Sequence, residues 1–266
     1  AGLDVRLKEG GPNADPVGDV LAGRSDFGIG MSDLLLDYLQ GQPVVILGPV
    51  FQHSPSILLV KGRDQLLANL AGDGADERAG NGPGDSTGNH AGTIALMGGN
   101  QDVEIKAMFL EEGIGLDKLR FERSERHLDD LIAGQVAAVN AYISNEPFIL
   151  EQRGIPFTIF KPENYGVDFY GDLLFTRKAL ADARPALVAA FRDASLRGWQ
   201  YALDHPREII DLILQHYNTQ NKSREHLAFE AREIRHLIHP NVIEIGHNNP
   251  GRWRHIAEAY EPKNGS

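Results

Sequence analysis

The chain has 266 residues, of which 42% are hydrophobic, and a formal net charge of -11. The length suffices for two lobes with cores of their own, while the negative charge and the lack of a basic cluster argue against nucleic acid or an anionic membrane as partner. The absence of cysteine excludes disulfides, thiolate nucleophiles and zinc–thiolate sites, and no apolar run approaches the roughly 18 residues that a membrane span needs.

The first predicted elements surround a strand-to-helix turn. Alternating apolar and charged residues over 3–8 predict a strand, and a short helix capped by Asp15 or Asp19 and ended by Gly23 follows. Residues 26–30 then form a short strand with small residues where the backbone comes close to another group.

The next helix begins at Ser32 or Asp33, directly after Gly30. A strand that delivers glycine and a hydroxyl to a helix start points free N–H groups into a crevice, which suits a small polar ligand. An ordinary helix N-cap is the structural alternative.

The same order of features recurs over residues 130–146. A helix end with Ala-Gly134 is followed by a short apolar strand and by Ser144 and Asn145 at a new helix start. Two such units predict two α/β lobes that offer their turns to a shared cleft. Because glycine is common after a helix, a chance match is the alternative.

The remaining pattern alternates strands with helices. Strands are predicted over 44–47, 56–60, 93–97, 119–123, 156–160 and 171–175, and helices over 103–112, 127–133, 185–202, 206–217, 223–236 and 253–260. Such βα alternation with short connections predicts α/β lobes around mainly parallel sheets. We assign residues 1–60 and 161–266 to the first lobe and residues 61–160 to the second.

Residues 71–92 interrupt this pattern. They are rich in Gly, Asp and Asn and nearly devoid of bulky apolar groups, so we expect a mobile excursion. A calcium loop built from Asp73, Asp76, Asn81 and Asp85 is the alternative, but the spacing does not match an EF-hand.

Seven motifs carry a family resemblance over nearly all of the chain outside 61–92. They are GIGMSDLL (28–35), FQHSP (51–55), MGGNQDVE (97–104), AYISNEP (141–147), DFYGDLLFT (168–176), ASLRGWQYALDHP (194–206) and IGHNNPGRWRHIA (245–257). The chain resembles the periplasmic-binding-protein family that includes bacterial thiamine-pyrimidine-precursor binding proteins and fungal thiamine-pyrimidine synthases. It is most similar to the branch used as ABC-transporter receptors and as extracytoplasmic sensor domains.

The resemblance implies an α/β fold of the two-lobed type II clamshell kind, with a flat, nitrogen-rich ligand between the lobes. Family members begin with a strand and a helix ahead of the position of Ala1, so we expect that opening strand and helix to be missing here. The implied location is periplasmic or extracytoplasmic, and the implied partner is an ABC permease or a fused membrane signalling module. What adjoins the domain decides between transport and sensing.

The candidate ligand-binding residues stand at predicted turns and loops. The Glu146 carboxylate can accept N–H bonds from an aminopyrimidine edge, although a first-turn acid is also favoured by the helix dipole. Tyr170 can stack on a flat ring or pack in the core, and Asp172 can pair with an amine. The full set is Gly30, Ser32, Asp33, Phe51, Gln52, His53, Gly99, Asn100, Gln101, Tyr142, Asn145, Glu146, Tyr170 and Asp172.

We predict a non-catalytic receptor with no cofactor and no metal. His239, His247 and His255 lack metal-ligand spacing, and no Ser-His-Asp or paired-carboxylate spacing is present. A synthase-like enzyme is the alternative. The fungal synthases are linked to a cysteine-rich, iron-binding motif, which a chain without cysteine does not contain.

Overall fold

The computed structural model describes residues 2–11, 14–71, 92–98, 102–123 and 127–260. The strands within these residues are β1 (Phe27–Gly30), β2 (Val44–Pro49), β3 (Ser56–Lys61), β4 (Thr93–Leu96), β5 (Arg120–Arg123), β6 (Ala138–Tyr142), β7 (Phe157–Phe160) and β8 (Leu173–Arg177). The predicted excursion, apart from residues 71 and 92, and its four calcium candidates lie outside the described residues.

The α-helices in the same ranges agree with the predicted helices, with ends shifted by a few residues. They are α1 (Pro16–Leu21), α2 (Leu34–Leu39), α3 (Val103–Glu111), α4 (His127–Ala133), α5 (Glu146–Gln152), α6 (Lys178–Ala183), α7 (Pro185–Asp204), α8 (Pro206–His216), α9 (Arg224–Ile238) and α10 (Pro250–Tyr260). Helix α6 has no counterpart among the predictions. The Asp15 side chain caps α1 as expected, since it accepts a hydrogen bond of 2.8 Å from the Gly18 N–H.

The first of two compact units comprises Ala1–Ser54 and Asp168–Ser266. Its sheet has the order β1-β8-β2, and β8 runs antiparallel to both neighbours. Gly28 in β1 is needed for close packing, because a Cβ there would lie 2.5 Å from Cε1 of the fully buried Phe175. The glycine expected at a close approach in this strand is therefore confirmed.

The second unit comprises Pro55–Val167. Its sheet has the order β5-β4-β6-β3-β7, in which β4 is parallel to β5 and β6, and β3 is antiparallel to β6 and β7. Fully buried side chains of β3, β4 and α3, among them Leu58, Ile94 and Phe109, form its core. The predicted lobe boundaries fall inside β3 and at the end of β7.

Two expectations about the strands are wrong. Residues 3–8 lie in no strand, and Val5 and Leu7 are 50% and 77% exposed, so their alternating pattern buries no face. The sheets are also not mainly parallel. Strands β8 and β3 each run opposite to two neighbours, because they pair with segments far away in sequence rather than through successive βα units, which favour parallel pairing.

Candidate functional site

In the first unit, three strands end or begin at one side of the sheet. Leu173, the first residue of β8, pairs with Gly30 at the end of β1 and with Pro49 at the end of β2. We call this side the Gly30 edge. Residues that follow β1 and β2 therefore meet residues that precede β8. Three segments that carry predicted site residues are brought together in this way.

The segment after β1 is held to the segment before β8. Ser32 is 1% exposed, and its hydroxyl donates a hydrogen bond of 2.7 Å to the Tyr170 carbonyl. Asp33 is the N-cap residue of α2 without a side-chain cap bond, and burial together with the Asp37 carboxylate raises its pKa. At Gly30 a Cβ would lie 2.8 Å from Leu34 Cδ1, so the missing side chain makes room for Leu34.

The segment after β2 is also tied into the unit. The buried Phe51 ring meets Trp199 edge-on, with centroids 5.7 Å apart. The Gln52 side chain is 1% exposed and donates to the His247 carbonyl at 3.2 Å. His53 places Nδ1 2.7 Å from the Asp168 carboxylate. These contacts give the segment a defined conformation.

Two residues outside the predicted set, Asp168 and Arg252, stand at the centre of this edge. The Asp168 carboxylate contacts His53 and, at 3.0 Å, a guanidinium nitrogen of Arg252. Arg252 also donates to the Gln52 carbonyl, and its guanidinium carbon lies 4.8 Å from the centre of the Tyr170 ring. Both residues lie inside quoted motifs, but their pairing joins distant motifs and leaves no local signal.

Tyr170 is fully buried. The Trp253 ring lies beside the Tyr170 ring, with centroids 4.9 Å apart. The Tyr170 hydroxyl accepts a hydrogen bond of 2.9 Å from the Asn249 N–H. Core packing, the alternative to ligand stacking, is therefore what Tyr170 does in this structure.

Asp172 differs from its neighbours because its carboxylate has no hydrogen bond or ion pair within the described part of the chain. Its backbone carbonyl accepts from the Val50 N–H at 2.7 Å, so the main chain is anchored. Burial raises the pKa of the side chain to about 6. The Gly30 edge therefore holds a half-buried acid with no partner among the described side chains.

Beside these residues the first unit contains a pocket of about 240 Å³. Its lining comes from the Gly30 edge and from the segment that leads into α10. The lining residues are Gln52, Tyr170, Val242, Ile243, Glu244, His247, Asn249 and Arg252.

In the second unit, the predicted residues form a local turn. The Glu146 carboxylate, on a residue 8% exposed, accepts hydrogen bonds of 2.8 Å from the Tyr142 N–H and the Asn145 amide. Asn145 is the N-cap residue of α5, but its side chain donates to the Glu146 carboxylate and does not cap a backbone N–H group of the helix. Glu146 thus shapes the turn between β6 and α5, where the dipole of the helix also favours an acid.

A buried polar network that was not predicted lies in the same unit. Asp102 is 2% exposed and accepts from the Met97 and Gly98 N–H groups, at 3.1 and 2.7 Å. The Asn140 amide also donates to Asp102 at 3.1 Å, and its oxygen accepts from the Ser56 hydroxyl at 3.0 Å. An asparagine in an otherwise apolar strand was the available signal, because a buried amide requires partners.

Four further positions were considered in the sequence. Gly99, Asn100 and Gln101 lie outside the described residues. His239 ends α9 with its ring 5.1 Å from that of His53. Within the described ranges, no helix combines the length and the apolar character needed to cross a membrane.

Comparison with known proteins identifies the fold and the family. The periplasmic aliphatic sulphonate binding protein SsuA of Escherichia coli matches with a TM-score of 0.60 at 12% identity, covering 82% of this chain and 68% of that one. A Candida albicans protein described as having the generic periplasmic binding protein fold matches with a TM-score of 0.54 at 11% identity, covering 91% and 81%. The chain has the periplasmic binding protein fold.

The family model described as NMT1/THI5 like matches residues 1–71 and 77–209. The chain therefore belongs to the NMT1/THI5-like family, and the family resemblance seen in the motifs is confirmed. A formylaminopyrimidine-binding protein of Halalkalibacterium halodurans is 29% identical over 93 residues, which are 34% of this chain and 28% of that protein. The match thus spans less than a third of the curated relative.

Proposed function

We propose that this chain is a non-catalytic receptor for a small, flat, nitrogen-rich molecule of the thiamine-pyrimidine-precursor class. Family membership and a relative named for binding a formylaminopyrimidine support the ligand class. The fold supports the receptor role, because neighbours such as SsuA are named as binding proteins.

The observation that carries this proposal is the Asp172 carboxylate at the Gly30 edge. Burial raises its pKa to about 6, and no cation or N–H group of the described residues neutralises or bonds it. A half-buried carboxylate without a partner can form charge-assisted hydrogen bonds with the amino group of a ligand. The same acid repels a sulfonate, so we expect a ligand unlike those named for the SsuA proteins.

We assign ligand contacts in the second unit to Glu146. Its two observed bonds, to the Tyr142 N–H and the Asn145 amide, hold the carboxylate in place. A carboxylate accepts charge-assisted hydrogen bonds from the N–H groups of an amine, which makes Glu146 our candidate in this unit. A pre-positioned acceptor loses less conformational entropy on binding.

A membrane partner recognises the ligand-bound receptor. We propose a periplasmic or otherwise extracytoplasmic location, as in the neighbours named as periplasmic binding proteins. The partner is an ABC permease in a transport system or a membrane signalling module in a sensor. A ligand that binds one conformation better than another is all that either output requires.

Thermal unfolding and calorimetry with three compounds test the proposal. A formylaminopyrimidine and 4-aminopyrimidine represent the proposed class, and an alkanesulfonate represents the ligand class named for structural neighbours. A compound present at a hundred times its dissociation constant should stabilise the chain by about 2.7 kcal/mol. We expect this for the aminopyrimidines and not for the sulfonate.

Asp172→Asn should weaken aminopyrimidine binding at least ~10-fold, since a charge-assisted bond becomes a neutral one. Asp193→Asn, at an exposed position of α7, is the matched control and should bind like the wild type. Stabilisation by the sulfonate alone, or equal affinity of the Asp172→Asn and Asp193→Asn variants, would refute the assignment.

A further inference from the structure

Arg252 makes three different contacts at the Gly30 edge. One guanidinium nitrogen lies 3.0 Å from the Asp168 carboxylate and another donates to the Gln52 carbonyl. The guanidinium carbon lies 4.8 Å from the centre of the Tyr170 ring. The Arg252 and Asp168 side chains are 20% and 31% exposed, so their ion pair is partly shielded from water.

These three contacts form a complete recognition set for one kind of chemical group. A guanidinium is planar, carries N–H donors along its edges and stacks on aromatic faces. An amidinium or a protonated aminopyrimidine is likewise planar and cationic and carries adjacent N–H donors. A carboxylate, a carbonyl oxygen and an aromatic face that accept Arg252 are therefore equally suited to such a ligand.

We propose that Arg252 is an internal substitute for the ligand, and that Asp168, the Gln52 carbonyl and Tyr170 form a subsite for a planar cationic group. The ligand enters when the Arg252 side chain leaves. The inference rests on the proposed function for the ligand class and adds the residues that recognise it. Tyr170 thereby regains the stacking role predicted from the sequence.

The surroundings provide room for this exchange. The pocket of about 240 Å³ is lined by Gln52, Tyr170 and Arg252, so open space borders the guanidinium. Arg252 lies in the first turn of α10, whereas Ile256 one turn later is fully buried and anchors the helix. Rotation of the side chain into the pocket frees the subsite while α10 stays in place.

Chemical rescue tests the subsite directly. Arg252→Ala removes the guanidinium and leaves its contacts unfilled, and methylguanidinium at low millimolar concentration is the probe. We expect methylguanidinium to raise the unfolding temperature of Arg252→Ala and to leave the wild type unaffected. Arg254→Ala, which replaces an exposed arginine of the same helix, is the matched control and should not respond. Adding Asp168→Asn to Arg252→Ala should abolish the rescue.

A second measurement covers the case in which Arg252→Ala does not fold. Arg252→Lys keeps the charge and the aliphatic stem but loses the planar fork, so it competes less well for the subsite. When Arg252 occupies the subsite, the apparent affinity for a ligand falls in proportion to the fraction of molecules whose subsite is free. Because Lys occupies the subsite less often, 4-aminopyrimidine should bind Arg252→Lys about tenfold more tightly than the wild type.

Unchanged aminopyrimidine affinity in Arg252→Lys, or equal responses of the Arg252→Ala and Arg254→Ala variants to methylguanidinium, would overturn the inference. The rescue does not depend on the natural ligand. Rescue without any aminopyrimidine binding would therefore support the subsite and refute the proposed function. Aminopyrimidine binding to the wild type without rescue of Arg252→Ala would support the proposed function and refute the subsite.

Discussion

The Ser32 hydroxyl donates a hydrogen bond of 2.7 Å to the Tyr170 carbonyl, joining residues that are 138 positions apart. It connects the start of α2 to the segment that carries Asp172. Since both groups are buried, the bond contributes to the conformation of the whole Gly30 edge.

Ser32→Ala should lower the free energy of unfolding by about 1–2 kcal/mol, because the buried Tyr170 carbonyl loses its donor. Chemical denaturation measures the change. Ser25→Ala, also in the first unit and without a side-chain hydrogen bond among the described residues, should change stability by less than about 0.5 kcal/mol. Equal effects of the two variants would show that the bond contributes nothing.

Asp172 should make stability depend on pH. Burial raises its pKa from 3.8 to about 6, so between these values the folded chain keeps a proton that the unfolded chain releases. The contribution of Asp172 to the free energy of unfolding is then complete below pH 3.8 and is lost as the pH rises through 6.

Asp172→Asn removes this dependence. The variant should exceed the wild type in stability above about pH 6, by an amount on the order of 2 kcal/mol, and the difference should disappear near about pH 4. Denaturation at several pH values measures it. For the control Asp193→Asn, we expect the difference from wild type in the free energy of unfolding to be the same at every pH. A flat difference for Asp172→Asn would contradict the buried-acid assignment.

Asp102 should be a major contributor to the stability of the second unit. Asp102→Ala leaves the Met97 and Gly98 N–H groups and the Asn140 amide without their acceptor. We expect a loss of about 3 kcal/mol in the free energy of unfolding. Asp117→Asn, at an exposed position of the same unit, should be nearly neutral. A loss below about 1 kcal/mol for Asp102→Ala would mean that water replaces the carboxylate.

Glycine substitutions separate a crowded position from an open one. At Gly171 a Cβ would lie 2.8 Å from Phe51 Cβ and 3.0 Å from the His53 carbonyl oxygen, so Gly171→Ala should cost about 1–3 kcal/mol. At Gly198 in α7 nothing lies within 4 Å, and Gly198→Ala should stabilise the helix by about 0.5–1 kcal/mol. Thermal unfolding should move in opposite directions, and a shared direction would contradict the packing at Gly171.

Local patterns in the sequence were sufficient to predict most of the helices and strands. The strand-to-helix turns at Gly30 and Asn145 and most helices follow from caps, glycines and apolar periodicity, which act within a few residues. The seven motifs were enough for the family. The strand predicted over 3–8 failed because alternation favours a strand only where a partner strand is available.

Long-range pairing decided the rest. Only the tertiary structure brings Asp168 to Arg252 and Asp102 to Asn140, because each pair joins segments whose separation carries no local signal. The antiparallel direction of β8 between β1 and β2 likewise depends on the path by which the chain re-enters this sheet, and not on the residues of β8 itself. Sequence determined which short elements form and to which family they belong. Packing determined which polar side chains meet, because a buried polar group is satisfied by whichever partner the fold brings within hydrogen-bond distance.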